Sequence, residues 1–241
     1  LDPSRIIEIY TGLSVPGVWD AGVTWNREHQ WARSLGVGTT GPDSSDLFNL
    51  RPADPQINSA RGNLPFGTGA GFWDPLHAQA LPGVNDRGDV ARSMFYMAVR
   101  YDGTELDTTD LELVNGTGSG SNLGDLASML EWHYTDPVDG IEQRRNHLVY
   151  SMVDNPTYYQ GNRNPFIDHP ELVRSIFGDP PNFPFDADGS GVVGLPDLDS
   201  FSACLTGPDQ PLAYPCDLHD EDGDLRVDLF DFAGYQVLFG N

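Results

Sequence analysis

Lysine is absent from these 241 residues. All 13 basic side chains are arginine, and they face 36 aspartates and glutamates, for a formal net charge of −23. So negative a surface repels polyanions at long range, which taken alone argues against nucleic acid as a partner and for a solvated, salt-adapted chain. The deficit is uneven: residues 179–241 hold 13 acids and one arginine, leaving 23 acids and 12 arginines in residues 1–178. Cysteine is nearly missing too. Cys204 and Cys216, separated by eleven residues that include three prolines, fit one local disulfide and an extracytoplasmic, secreted or periplasmic location; two free buried thiols are the alternative. Cys216 and His219 alone make at most half of a zinc site. No apolar run approaches the roughly 18–20 residues that a bilayer crossing needs, so no membrane insertion is expected. No basic, apolar leader opens the chain, and a first residue of Leu1 rather than Met suggests that a leader or another amino-terminal segment has been removed.

What is present reads as a helical body with little strand. "RIIEIYT" predicts a strand from Arg5 to Thr11, stopped by Gly12, after which loops dominate to Gly83. Within them Asp54 caps a short helix, Pro55 to Arg61, whose first position suits a residue without an amide hydrogen. Longer helices are expected from Val90 to Tyr101 and from Leu123 to Tyr134. A third turns Ile141, Leu148, Val149 and Met152 inward and Glu142, Arg144 and Arg145 outward. Met94, Met97, Met129 and Met152 are packing residues on this reading. Prolines and aromatics make 179–185 a linker between a domain at 1–178 and another at 186–241.

The second domain contains a repeat. "DADGSGVVGLPDLDSF" overlies "DEDGDLRVDLFDFAGY" with a constant offset of 34 positions. Calcium is held by oxygens from a loop of about twelve residues with a glycine at its sixth position. Asp186, Asp188, Ser190, the Val192 carbonyl and Asp197 fill such a pattern, with Gly191 at the turn. Asp220, Asp222, Asp224, the Arg226 carbonyl, Asp228 and Asp231 fill it again, with Leu225 where glycine is wanted. Carboxylates so crowded repel one another without a cation, so the repeat is expected to fold with Ca2+ bound. It resembles the dockerin-like, EF-hand-related modules of secreted bacterial proteins, a resemblance that implies attachment to a cohesin-like or surface partner.

The stretch "TWNREHQWARS", Thr24 to Ser34, sets an acid beside a histidine between two tryptophans. Core tryptophans flanking an exposed pair would explain it; so would a metal ligand and a general base. Read with "DLFNLRPADPQINSARGNLPFG", "GDVARSMFYMAVRYDG", "MLEWHYTDPV" and "QGNRNPFIDHPELV", it resembles the endonuclease I family of secreted or periplasmic bacterial nucleases, over most of residues 5–178. That resemblance implies an α+β fold with a His-Me finger, also called the ββα-metal motif. It also implies hydrolysis of DNA, and of RNA as a second substrate, without sequence specificity and leaving 5′-phosphate ends. Carried over by position, His29 is the general base, and Glu28 and Asn58 are ligands of Mg2+, or of Mn2+ or Ca2+ in its place. Such chemistry needs a neutral base, a cation on the developing charge and a grip on the phosphate. Arg61 is the first candidate for that grip, with Arg27 and Arg163 behind it, and Asn49 is a candidate to fix the His29 tautomer. A regular strand would turn Glu28 and His29 to opposite faces, so a strand end or bulge is expected there. His77, His133, His147, His169 and His219 are read as structural or surface residues.

Two positions depart from the family pattern: Phe48 stands where histidine is expected and Ala32 where proline is. The competing reading is a non-catalytic, calcium-dependent attachment protein that keeps a nuclease fold; a hydrolase of another phosphodiester is a third. Because a negative molecule can offer a polyanion only a local positive slot, moderate salt is expected to help DNA association or to harm it little. A log–log plot of affinity against salt with a slope near about −5 would contradict this.

Overall fold

The computed structural model describes residues 2, 4–81, 83–104, 108–178, 185–187, 193–205, 216–220 and 226–239. The chain divides into two compact units, Leu1–Gly178 and Asp179–Asn241.

The first unit mixes helices with three small two-stranded sheets. β1 (Arg5–Ile7) pairs antiparallel with β2 (Ser14–Pro16), and β3 (Asn26–His29) with β4 (Leu50–Ala53). A parallel pair, β5 (Glu112–Leu113) and β6 (Asn122–Leu123), lies further along. β1 is shorter than the sequence suggested because Tyr10 adopts φ 75° and its amide donates to Asp86 Oδ2 at 2.7 Å, turning the chain before Thr11. The region expected to be mostly loop carries β2 to β4, whose strands of three or four residues are too short for alternation to register.

α1 (Pro42–Ser45) is a single turn between β3 and β4. α2 (Pro55–Arg61) follows from its cap: Asp54 Oδ1 accepts the amides of Gln56 and Ile57 at 2.8 and 3.0 Å. α3 (Arg87–Arg100) is the central helix, buried without a break from Gly88 to Met97. It packs on α4 (Leu126–Thr135), and a Cβ at Gly88 would come within 2.1 Å of the Asp136 carbonyl oxygen, so this approach requires glycine. Leu123 belongs to β6, and α4 starts only after Asp125, which accepts the Ser128 amide. α5 (Gly140–Tyr150), α6 (Pro165–Asp168) and α7 (Leu172–Phe177) complete the unit, with Phe95, Phe166 and Phe177 in mutual ring contact.

α5 is rotated partway from its expected orientation: Val149 is buried and Arg144 exposed as expected, but Glu142 has taken the place of Ile141 inside. Glu142 and Val149 are buried, whereas Ile141 and Met152 are 45% and 57% exposed. The reason is a polar interior. Arg92 on α3 pairs with both Glu142 oxygens and donates to the Asp136 carbonyl. Arg145 donates to the carbonyls of Leu47 and Leu50. Met94, Met97 and Met129 are packing residues; Met152 is not.

In the second unit α8 (Leu195–Cys204) and α9 (Leu229–Leu238) preserve the 34-residue offset of the repeat. Cys204 and Cys216 form a disulfide. Phe185, Phe201, His219 and Tyr235 pack ring to ring, and the Tyr235 hydroxyl donates to the Gly194 carbonyl at 2.6 Å.

The Arg92–Glu142 pair ties α3 to α5 away from water. Glu142→Ala should therefore cost about 3–5 kcal/mol in urea unfolding, since it strands a buried guanidinium, while Ile141→Ser should stay within about 0.5 kcal/mol. Equal effects would refute this orientation of α5.

Candidate functional site

β3 and β4 pair without a bulge, Glu28 opposite Arg51 and His29 opposite Leu50, and β3 ends at His29. Alternation therefore splits the tetrad. Asn26 and Glu28 face α2; Arg27 and His29 face away from it. On the α2 side Asn58 Nδ2 donates to Asn26 Oδ1 at 2.6 Å, and Arg61 Nη1 donates to Glu28 Oε1 at 2.7 Å. Glu28 is buried, and the Tyr10 hydroxyl donates to the same Oε1 at 2.8 Å. Burial pushes its carboxyl above the ordinary range against the opposing pull of Arg61 and Tyr10.

Arg61 is not placed to grip a phosphate. Its side chain is wholly enclosed, lies over the Phe66 ring with 4.4 Å to the centroid, and donates to Glu28 and to the carbonyls of His29, Gln30 and Leu64. Nη1 and Nη2 hold β3 and the residue after it against α2, and Nε holds the chain that follows α2. Asn49 is likewise reassigned: its Oδ1 accepts the Trp31 amide at 2.7 Å and its Nδ2 donates to the Trp31 carbonyl, so it brackets the backbone after His29 rather than the ring.

The His29 ring is fixed by a backbone group instead. Its Nε2 lies 2.9 Å from the Ser44 carbonyl oxygen. A carbonyl only accepts, so Nε2 carries the proton and Nδ1 keeps the lone pair. Arg33 Nε also approaches Nε2, at 3.4 Å, but a protonated nitrogen cannot accept, and the shorter carbonyl bond prevails. Burial holds the imidazole below its ordinary value; the Ser44 bond opposes this, and Arg33, Arg27 and Arg61 add to it.

His29 opens onto a cleft of about 440 Å³ walled by Arg27 and Arg33 on one side and by Ser44 and Ser45 on the other. Arg27 is exposed and lies against the Trp19 ring, 5.0 Å from its centroid. Arg163 does not line this cleft and holds Asp168 through two bonds of 2.6 and 2.5 Å. Phe48 lies in the core against Tyr96, with ring centroids 4.7 Å apart, and Ala32 is buried. Of the other histidines, His133 is buried beside Phe95 with its pKa pushed down to about 4, and His147 and His169 sit in surface pairs with Asp154 and Glu171.

Sequence reasoning missed Tyr10, Asn26, Arg33 and Ser44. Asn26 and Arg33 left a signal, since both belong to the stretch "TWNREHQWARS" that carries His29. A cavity of about 600 Å³ lies elsewhere, with a wall of mixed charge in which Asp86, Asp89, Asp136 and Asp139 stand with Arg5, Arg51, Arg144 and Arg145.

The oxygen donors for a cation pass a local test. Both hydrogen bonds to Glu28 land on Oε1 and the bond from Asn58 uses Nδ2, so among the described residues Glu28 Oε2 and Asn58 Oδ1 carry none. A cluster of three or more acid, histidine or cysteine ligands does not occur among the described residues. In the repeat, Asp188, Ser190, Val192, Asp222 and Asp224 lie outside the described residues, as does 179–184 of the linker. Asp197 accepts the amides of Ala187 and Gly194 at 2.8 and 2.7 Å. Asp231 accepts the Asp228 amide at 2.7 Å, and Asp228 caps α9 through Phe230. Arg226, Asp186 and Asp220 are described, without a ligand arrangement among them.

The family model described as Endonuclease I matches residues 10–171. The extracellular ribonuclease of Bacillus amyloliquefaciens is 43% identical over 187 residues, covering 73% of this chain and 62% of that protein. The extracellular ribonuclease of Bacillus subtilis (strain 168) is 42% identical over the same length and shares. The chain thus spans about 62% of the length of these curated relatives.

Proposed function

Since the chain belongs to the endonuclease I family, we propose that it is a secreted nuclease that hydrolyses phosphodiester bonds of RNA and DNA without sequence specificity. The relatives' description as extracellular ribonucleases supports both the RNA substrate and the location. No helix among the described residues is long and apolar enough to cross a membrane.

One observation carries the reading: His29 Nε2–H is tied to the Ser44 carbonyl, so the basic Nδ1 is left for water in a cleft flanked by two arginines. In this mechanism Nδ1 takes the proton of the attacking water while Ser44 holds the ring in one tautomer. Arg27 and Arg33 draw the phosphate against it. Glu28 Oε2 and Asn58 Oδ1 would hold a hard divalent cation, Mg2+ with Mn2+ or Ca2+ as substitutes. Because these donors lie on the α2 face of β3 and His29 on the other, the cation would supply positive charge to the phosphate and the leaving oxygen only across the end of β3, where the strand stops at His29. Arg61 keeps Glu28 oriented through Oε1.

The test is to incubate RNA, single-stranded DNA and supercoiled plasmid with the full chain, with and without Mg2+, beside His29→Ala. The variant should lose about 10²–10⁴-fold in rate. An undiminished rate on every substrate would remove the general base. The pH profile adds a sign: His29 acts neutral and its pKa lies below the ordinary 6.5, so activity is retained above that value and falls as pH drops through the lowered one. An acid limb centred above 6.5 would assign it to another group. A chain that binds strands but cuts nothing would favour the attachment reading.

We further propose that the repeat of residues 186–231 loads calcium and anchors the enzyme to a cohesin-like or surface partner. Support comes from the two equal helices, each with an aspartate at the loop's twelfth position, Asp197 or Asp231, that accepts the amide of the residue before the helix, Gly194 or Asp228. EGTA should expose 186–231 to proteolysis while 1–178 resists, and added Ca2+ should reverse this. Protection indifferent to EGTA would count against it.

A further inference from the structure

The His29 cleft does not end at Ser45. That residue also lines a second depression of about 380 Å³, which shares Arg100 and Asn162 with a third of about 450 Å³. The three form one groove from the base, past α1, to the C-terminal end of α3. Of its four arginines, Arg163 is paired with Asp168. Arg51, Arg61, Arg87 and Arg92 are all committed to carboxylates. Arg27, Arg33 and Arg100 are exposed, and none of them is ion-paired with a carboxylate among the described residues.

Of the groove's two acids, one is sequestered beneath its floor and the other stands exposed at its far end. Asp46 lies under its floor, 2% exposed, with its oxygens taken by the hydroxyls of Tyr96 and Tyr101 and the Phe48 amide. Asp102, at the far end, accepts the amide and hydroxyl of Thr104. Gln160 and Asn162 on the wall are held in place, Gln160 by accepting the Leu47 amide and Asn162 by donating to the Tyr96 hydroxyl. Directly before Gln160 come Tyr158 and Tyr159, 73% and 44% exposed.

Arginines without carboxylates beside exposed aromatic rings make a surface for strands whose base faces are free. A duplex offers phosphates but keeps its base faces stacked. Resting on the nuclease reading above, we propose that the groove is a track for an unpaired nucleic acid strand: Arg33 at the phosphate under attack, Arg100 on a phosphate further along, Tyr158 and Tyr159 stacking the bases that pass Gln160. The track makes single strands the preferred substrate and sets a minimum length for full affinity.

Fluorescence anisotropy tests this, with every protein built on full-length His29→Ala in Mg2+ and Ca2+ so that nothing is cut. A labelled strand of about twelve nucleotides should bind at least about tenfold more tightly than its own duplex. Arg100→Glu should weaken the strand about tenfold yet leave a dinucleotide unaffected, because that ligand stops short of Arg100. Tyr158→Ala with Tyr159→Ala should weaken the strand about tenfold, which keeps the test alive should Arg100→Glu not fold. Arg144→Glu makes the same charge change on an exposed arginine outside the groove and should shift affinity by less than about twofold. Equal losses from Arg100→Glu and Arg144→Glu would reduce the effect to net charge and overturn the track, as would duplex bound as tightly as single strand. Because binding is read without cleavage, the expected pattern in a wild-type chain that cuts nothing keeps the track and removes only the nuclease. Cleavage with binding indifferent to Arg100 and both tyrosines does the reverse.

Discussion

The Arg61 guanidinium is the contact on which the site depends. It enters from the last turn of α2 and satisfies one oxygen of Glu28 together with the carbonyls of His29 and Gln30. The carboxylate of Glu28 and the backbone of His29 and of the residue after it are thus fixed by one planar cation. A lysine ammonium presents three donors from a point and could not span this set, whereas the arginine fork can. The pair also resolves an electrostatic difficulty, because a carboxylate 2% exposed would otherwise be driven to its neutral form. Held by Arg61 and the Tyr10 hydroxyl on Oε1, it can stay charged and still offer Oε2.

The same device recurs through the first unit, and it gives the missing lysines a physical meaning. Arg51 joins β4 to Asp89 on α3, Arg92 joins α3 to Glu142 on α5, and Arg145 returns from α5 to the carbonyls of Leu47 and Leu50. These links run in sequence from the strand that pairs with β3 through two helices and back. Each crosses between elements where an unpaired charge would be costly, so the relative placement of β4, α3 and α5 is specified more sharply than apolar packing alone would do. The His29 ring is held against Ser44 by the segment between β3 and β4, whose far end this network secures.

This polar interior also marks where the sequence was legible. Asp54 with Pro55 announced α2, and the apolar run of α3 and the constant offset of α8 and α9 were equally plain, because caps, apolar patterns and repeats are local. Glu142 and Arg145 misled because a buried charge and a solvated one are the same letter, and only the partner on another helix tells them apart. Asn58 and Arg61 lie close together on one short helix, yet one meets Asn26 and the other Glu28, a difference set by depth rather than spacing. The group that fixes the His29 tautomer is a main-chain carbonyl, and nothing about Ser44 as a residue type reveals that. Asn49 was the plausible side chain for that duty, and the backbone of Trp31 took it instead.

An acid-rich member of a nuclease family looks self-defeating until its charges are sorted by what they can reach. Coulomb forces between exposed charges fade beyond about 8–10 Å at physiological salt, so a strand in the groove responds to what lines it rather than to the formal −23. Along that wall the acids are Asp46, sunk beneath two tyrosine hydroxyls, and Asp102, turned to Thr104, while three arginines stand free of ion pairs with carboxylates among the described residues. At range the chain repels polyanions, so association is slow and non-specific capture weak. At contact a short positive strip takes over, and stacking, which does not depend on charge, adds affinity that salt does not remove. A protein built this way gives up tight binding along long duplexes and keeps the release of cut strands easy. That balance suits hydrolysis without sequence preference better than it suits retention.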